Sequence, residues 1–207
     1  MKDEKVYETI KSWYERETDD VLKLSMQEVM NTLEEDMQVA LARETGVSGI
    51  AKSAQAIIKA AKAGTRDFIK GMWQSGNKWC ICDEARAVRF NEKMPLEELS
   101  DKEIPIDINR VFEYNTQGAE KEITLPPIAD LKLWDKTHKP KKNCKQEAYC
   151  LDSSIPLYVN VRFLIDMMMC LPNAKVTTSG KFNSALYFVA DNGDGILMPV
   201  KPPKKPE

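Results

Sequence analysis

Histidine is nearly absent from this chain: among 207 residues there is one, His138. It lies in the lysine-rich stretch KTHKPKKNCK (136–145), which reads as a solvated basic loop, so no hydrolase triad forms around it. Glycine is scarce, at nine residues, and neither GxxxxGK[ST] nor GxGxxG occurs. That excludes the backbone phosphate cradles of P-loop and dinucleotide-binding proteins. No apolar run approaches the roughly 18 residues a membrane helix requires. The opening MKDEKVYETI is charged and has no apolar leader core. Five cysteines are an odd number, and without a secretion signal they predict free thiols in a reducing cytoplasm. A general excess of positive charge is missing too. With 30 Lys and Arg against 32 Asp and Glu the net charge is −2, so any nucleic-acid contact must come from a local patch.

The length allows one domain with a sizeable core, with or without a helical appendage. The most informative stretch is Tyr158 to Lys201. Asn160 reads as an N-cap, and Val161, Leu164, Ile165, Met168 and Leu171 recur at helical spacing until Pro172-Asn173. Val176–Ser179, Ala185–Ala190 and Ile196–Val200 read as strands, the last two around the turn Asp191-Asn192-Gly193-Asp194-Gly195. The glycines and aspartates there resemble a calcium loop superficially, but the EF-hand spacing is absent. An earlier stretch has the same order. Ser48–Ala63 reads as a helix, Phe68–Trp73 and Lys78–Asp83 as strands around Gln74-Ser75-Gly76-Asn77, and Ala85–Asn91 as a third strand. Two helix-then-meander units predict an internal structural repeat, αβββ twice.

Residues 1–45 read as two helices. Val6, Ile10, Trp13 and Tyr14 mark one apolar face, and Leu22, Met26, Val29, Met30, Leu33, Met37 and Leu41 a second, with Thr18, Asp19 and Asp20 capping the second helix. The simple expectation is a helical hairpin packed on the main domain. Its methionine-rich stripe also suits an oligomerisation or partner-docking element. Pro95–Leu99 reads as a surface connection. Ile108–Tyr114 is expected as a strand, Asn115–Gly118 as a turn, Glu122–Leu125 as its partner, and Pro126-Pro127 as the opening of a short helix through Trp134. Ala148–Leu151 is a further strand. The division is then a helical segment 1–45, an α+β domain 46–201 and a disordered tail 202–207, KPPKKPE without its first lysine.

Two side-chain patterns carry chemistry. On the helix 48–63, Lys52, Lys59 and Lys62, with Arg66 beyond it, lie opposite the apolar face formed by Ile50, Ala54, Ile57, Ile58 and Ala61. Such a stripe is either a solvated helix surface or a sequence-blind track for phosphates. Cys80 and Cys82 alternate with Trp79 and Ile81, so both thiols point to one side of a strand and fill core. Cys80, Cys82, Cys144, Cys150 and His138 could supply four zinc ligands, but CxC and Cx5C are not knuckle spacings. No metal or cofactor is expected, and no carboxylate pair or nucleophile argues for catalysis.

Three motifs, in order, resemble the bacterial sliding clamps, the DNA polymerase III beta-subunit family. Cys82-Asp83-Glu84-Ala85-Arg86-Ala87-Val88 resembles the clamp's threonine-aspartate-glycine-x-arginine-leucine-alanine strand end, with Glu84 in place of the glycine. Tyr158 to Asp166 resembles its last inner helix. Gly195 to Lys201, GILMPVK, resembles its methionine-proline-methionine-arginine ending. The resemblance covers roughly residues 48–92 and 148–201.

What the resemblance implies is a non-enzymatic α+β clamp-like domain of DNA replication, with helices on one face of antiparallel sheets plus an N-terminal hairpin. Clamp helices face double-stranded DNA, a role that would fall to Lys52, Lys59, Lys62, Arg66 and Arg162, with Asp166 weakening the second helix. Clamps also hold polymerase peptides in an apolar pocket. The matching positions are Asp83, Arg86, Ala87, Val88, Leu197, Met198, Pro199 and Val200. Clamp chains carry three domains and pair into a ring; this chain has room for one, so a homo-oligomeric ring would need about six copies. A single-domain relative could also serve as an adaptor or decoy that has lost DNA binding, as would suit a phage or other mobile element.

Overall fold

The computed structural model describes residues 2–44, 48–63, 71–99, 106–139, 148–152, 154, 157–181 and 183–201. Helices α1 (Lys2–Tyr14) and α2 (Asp20–Glu44) form the N-terminal hairpin. Asp19 caps α2, its Oδ1 accepting from the Val21 and Leu22 amides. Helix α3 (Ser48–Ala63) is followed by β1 (Trp73–Ser75), β2 (Lys78–Cys82) and β3 (Arg86–Phe90). A middle segment supplies α4 (Ile108–Thr116), β4 (Lys121–Glu122) and α5 (Ile128–Thr137). A two-stranded ladder of β5 (Tyr149–Asp152) and β6 (Leu157–Val159) leads into α6 (Val161–Cys170), then β7 (Lys175–Thr178), β8 (Leu186–Ala190) and β9 (Gly193–Leu197).

The main sheet is antiparallel throughout, in the order β1-β2-β3-β9-β8-β7-β4. Its centre is the β3–β9 pair, Arg86 opposite Leu197 and Phe90 opposite Gly193. Read outward from that pair, β3-β2-β1 on one side mirrors β9-β8-β7 on the other, each trio preceded in the chain by its helix, and β4 is added beyond β7. The two αβββ units are therefore related by a local pseudo-two-fold. Helices α3 and α6 pack against each other and share one face of the sheet. Ala54, Ile57 and Ile58 of α3 and Leu164, Met167 and Cys170 of α6 bury against Ile81, Val88, Phe188 and Leu197. Gly195 makes the close approach of α6 possible, since a Cβ there would lie 2.6 Å from Met167 Cε and 3.0 Å from the Ala87 carbonyl. Asn160 caps α6, its Oδ1 accepting from the amides of Arg162 (3.0 Å) and Phe163 (3.4 Å).

Several expectations shift. Residues 108–114 are not a strand: Ile108 and Phe112 are buried one helical turn apart, and Asp107 caps α4 by accepting from the Arg110 amide. With no strand there, β4 pairs with β7 at the sheet edge instead, Lys121 opposite Thr178. The first turn narrows to Gly76-Asn77, since Gln74 and Ser75 pair within β1. In the last hairpin, Gly193 to Gly195 belong to β9 rather than to the turn. There Gly193 has φ 155°, and a Cβ would collide with the Arg89 carbonyl oxygen. Pro95–Leu99 is more than a surface connection: it buries Leu96 and exchanges backbone bonds with Met72. Helix α5 runs past Trp134 to Thr137, and His138 is half-buried, stacked on the Trp134 ring at 4.3 Å. Phe68–Lys70, Arg66, residues 140–147 and the tail 202–207 lie outside the described residues.

Candidate functional site

Two places collect the residues singled out from the sequence: the outer surface of the α3/α6 layer, and the corner where β3 and β9 begin and end. On α3, Lys52, Lys59 and Lys62 are all exposed, as a stripe opposite the buried Ile57 and Ile58 requires. Lys62 is ion-paired with Glu97 of the segment after β3. On α6, Arg162 is exposed, its Nε donating to Asp135 of α5 at 2.9 Å. Two of the expected phosphate contacts thus already have carboxylate partners, at surface positions where such pairs are worth little and exchange readily. Charge is divided along the chain. Residues 2–44 contain six basic and twelve acidic side chains, net −6, so the remainder of a chain whose total is −2 carries net +4.

The corner is built around Arg86. The β2–β3 hairpin closes over four residues, with Asp83 accepting from the Ala85 and Arg86 amides at 2.8 and 2.7 Å. This fixes the Asp83 carboxylate beside the guanidinium of Arg86, whose Nη2 and Nε donate to Asp83 Oδ2 at 2.6 and 2.9 Å. Arg86 Nη1 donates to Asp166 Oδ2 of α6 at 2.5 Å, and the guanidinium stands 4.1 Å from the centre of the Phe163 ring. Only 2% of Arg86 is exposed. Two carboxylates surround one cation, so the cluster carries a net negative charge. Burial, opposed by Arg86 and reinforced by the Asp83 carboxylate, holds the Asp166 carboxyl above its usual range.

Alternation along the strand separates the expected pocket residues. Val88 and Leu197 are buried in the core beneath α3 and α6, whereas Ala87 faces the opposite side, with Cys80, Cys82 and Ile196 under α4. Met198, Pro199 and Val200 are half-buried and remain reachable at the corner. The Met198 amide donates to the Ala85 carbonyl and the Val200 amide to Tyr158, each at 2.8 Å. The three sequence motifs therefore converge: the Asp83–Arg86 turn, α6 with the residues before it, and Met198–Val200 after β9 meet within one set of bonds. Asp166 and Phe163 are the members that residue patterns did not assign to this corner, since their partner Arg86 lies far away in sequence, 80 positions from Asp166. A second unanticipated cluster holds α4 to the sheet. Arg89 pairs with Asp194, donates to Asn109 Oδ1 at 3.1 Å and lies 3.7 Å from the Phe112 ring centre, while Tyr187 donates to Asp194 at 3.2 Å.

The thiols are core. Burial pushes Cys80 up to about 11 and Cys82 up to about 12, and raises Cys170 further, so all three stay protonated at neutral pH. Among the described residues no group of His, Cys, Asp or Glu is placed to hold a metal ion, and no helix is long and apolar enough to cross a membrane. No family model, curated protein or solved structure matches the chain.

Proposed function

We propose that this protein is a clamp-like, non-catalytic component of DNA replication that binds duplex DNA without sequence preference through the α3/α6 layer. The observation that carries the reading is the pair of αβββ units related across β3–β9, with their two helices side by side on one face of the sheet. The convergence of the three clamp-resembling motifs at the Arg86 corner supports it, as does the exposure of Lys52, Lys59 and Lys62 on α3. Lys52, Lys59 and Lys62 supply phosphate contacts; Arg162 joins when a phosphate displaces Asp135. Contacts of this kind place no demand on base identity, which a sliding protein requires. The corner is the complementary contact, where Met198, Pro199 and Val200 offer half-buried apolar side chains beside an ordered turn, suited to an extended peptide from a polymerase or another replication protein. Duplex titration of the wild type and of Lys52→Glu/Lys59→Glu/Lys62→Glu tests the proposal: binding should be salt-sensitive and lost in the variant.

A second reading is favoured by the ion pairs Lys62–Glu97 and Arg162–Asp135, which occupy two of the expected DNA contacts. In it the protein is an adaptor or decoy that keeps the corner and has lost DNA. It predicts binding of clamp-motif peptides, weakened by Met198→Ala, with no duplex affinity even at low salt.

A further inference from the structure

Helix α5 lies outside the stretches that resemble the clamps, yet it packs on α6 as α3 does. Both neighbours run antiparallel to α6. A Cβ on Gly49, at the start of α3, would lie 3.4 Å from Met169 Cε near the end of α6. Asp135, near the end of α5, accepts from Arg162 at the start of α6, while Ile128 and Met168 line one cavity at the opposite ends of the same two helices. Since α3 and α5 pack on α6 rather than on each other, α6 lies between them. It is also the recessed member of the three: of its ten residues only Arg162 is exposed.

Both flanking helices turn lysines outward beside this trough. On α5, Leu131 and Trp134 face the core, and Lys132 and Lys136 are exposed about 40° apart at 100° per residue. Asp135, which faces α6, is roughly 60° from Lys132, whereas the other acid of the helix, Asp130, is roughly 160° away on the far side. Lys139, exposed just past the C-cap His138, continues the row. On α3, Lys52 and Lys59 are exposed seven residues apart, opposite the buried Ile57 and Ile58. Among the described residues none of Lys132, Lys136 and Lys139 has a carboxylate partner, unlike Lys62 and Arg162.

We propose that α5 is a second phosphate track, so that a duplex lies over α6 with one strand against Lys52 and Lys59 and the other against Lys132, Lys136 and Lys139. The inference rests on the duplex-binding reading of the α3/α6 layer and moves the centre of that contact toward α5. Charge complementarity selects the occupant. Two rows of outward lysines fit a ligand with two regular edges of fixed negative charge, which is what a double-stranded backbone presents. The spacing agrees. Two interhelix distances place the rows roughly 16–20 Å apart, and the phosphates bordering a major groove about 12 Å wide between its walls are separated by a distance of that order. Between the rows stands the Arg162–Asp135 pair. Its carboxylate is the acid nearest the α5 row, so it opposes a phosphate there, and removing its charge strengthens the contact. Lysines placed in this way touch phosphates and not base edges, which keeps the binding indifferent to sequence.

Titration of a labelled duplex with the full chain across a salt series, read by fluorescence anisotropy, tests this. Lys132→Glu/Lys136→Glu/Lys139→Glu should weaken binding at least tenfold at low salt and shrink the slope of log K against log salt by about 2 to 3, near 0.9 for each contact removed. Lys5→Glu/Lys11→Glu/Arg16→Glu, on the hairpin, changes the net charge equally and should leave that slope as it was. Asp135→Asn, which can still accept from Arg162, should tighten binding about two- to fivefold. Far-UV circular dichroism checks each variant, and Lys132→Gln/Lys136→Gln/Lys139→Gln replaces the reversal if it fails to fold. Wild-type affinity and slope in the α5 variant, with binding lost in Lys52→Glu/Lys59→Glu/Lys62→Glu, overturn the inference and leave the duplex reading standing. Equal losses in the α5 and hairpin variants overturn it too, because net charge alone would then account for them. A wild type without duplex affinity at low salt removes the reading and the inference together.

Discussion

Replacing Arg86 by methionine keeps most of its volume and removes its charge. The structure makes the cost large. The Asp83 side chain is 6% exposed and the Asp166 side chain 25% exposed, and Arg86 supplies the cation for both. Without it two like charges face each other in a poorly solvated corner, and the contact with Phe163 is lost as well. Removing one partner of a buried ionic group costs about 3–5 kcal/mol, because the partners left behind keep their desolvation penalty. The Ala85 and Arg86 amides still hold Asp83, which keeps the expected loss near 4 kcal/mol rather than above it. For a domain of this size that corresponds to a Tm lower by roughly 8–16 °C. Acidity provides an internal check. In the variant Asp166 loses the guanidinium that opposes its burial, so its carboxyl stands further above the unfolded value; its contribution is present below the unfolded value and lost as pH rises through the folded one. The gap between wild type and variant should therefore be smallest in acid and widen toward neutrality. Urea unfolding followed by tryptophan fluorescence and circular dichroism, with m-values compared, measures it. A neutral-pH loss under about 1 kcal/mol would refute the reasoning, because it would mean that the corner is solvated and its ion pairs are ordinary surface contacts.

Other expectations follow from single contacts. Asp166 has its carboxyl raised by burial, so its ionisation removes stability as pH climbs through that raised value. Asp166→Asn, which can still accept from Arg86, should flatten the Tm profile and gain on the wild type from mildly acidic toward neutral pH; parallel profiles would contradict this. Gly195→Ala should cost about 1–3 kcal/mol by overpacking, since the new methyl meets Met167, Leu171 and the Ala87 backbone. A neutral result in thermal unfolding would show that α6 can withdraw from the sheet. Met198→Ala should weaken a clamp-motif peptide measured by calorimetry while leaving duplex binding intact. Loss of both together would point to a folding defect.

The parts of the fold that were legible in the sequence are those in which one short segment contains its own signal. Asn160 followed by apolar residues at helical spacing gives α6 and its cap, and Ser48–Ala63 gives α3 to the residue. The two αβββ orders follow from turns and β-rich runs. What was hidden depends on partners far away. Ile108–Tyr114 is short and apolar enough to read either way; the buried Ile108 and Phe112, covering Cys80, Cys82 and Ala87 on the second sheet face, decide for a helix. The strand β4 owes its place to β7, more than fifty residues later. At the candidate site, the Asp83–Arg86 pair is local and visible. Its completion by Asp166 is not, nor are the partners Glu97 and Asp135 that meet Lys62 and Arg162. Alternation along β3 does predict that Ala87 and Val88 cannot face one pocket, a signal available in the sequence but overridden by the motif.

The most direct measurement is fluorescence anisotropy of a labelled duplex titrated with the protein across a salt series. The account predicts sequence-independent binding that weakens with salt. In Lys52→Glu/Lys59→Glu/Lys62→Glu, affinity should fall steeply and the slope of log K against log salt should shrink by about 2 to 3, near 0.9 for each phosphate contact removed. Binding that is absent at low salt, or unchanged in slope and strength by the three reversals, would contradict duplex binding by the α3/α6 layer and leave the adaptor reading in its place.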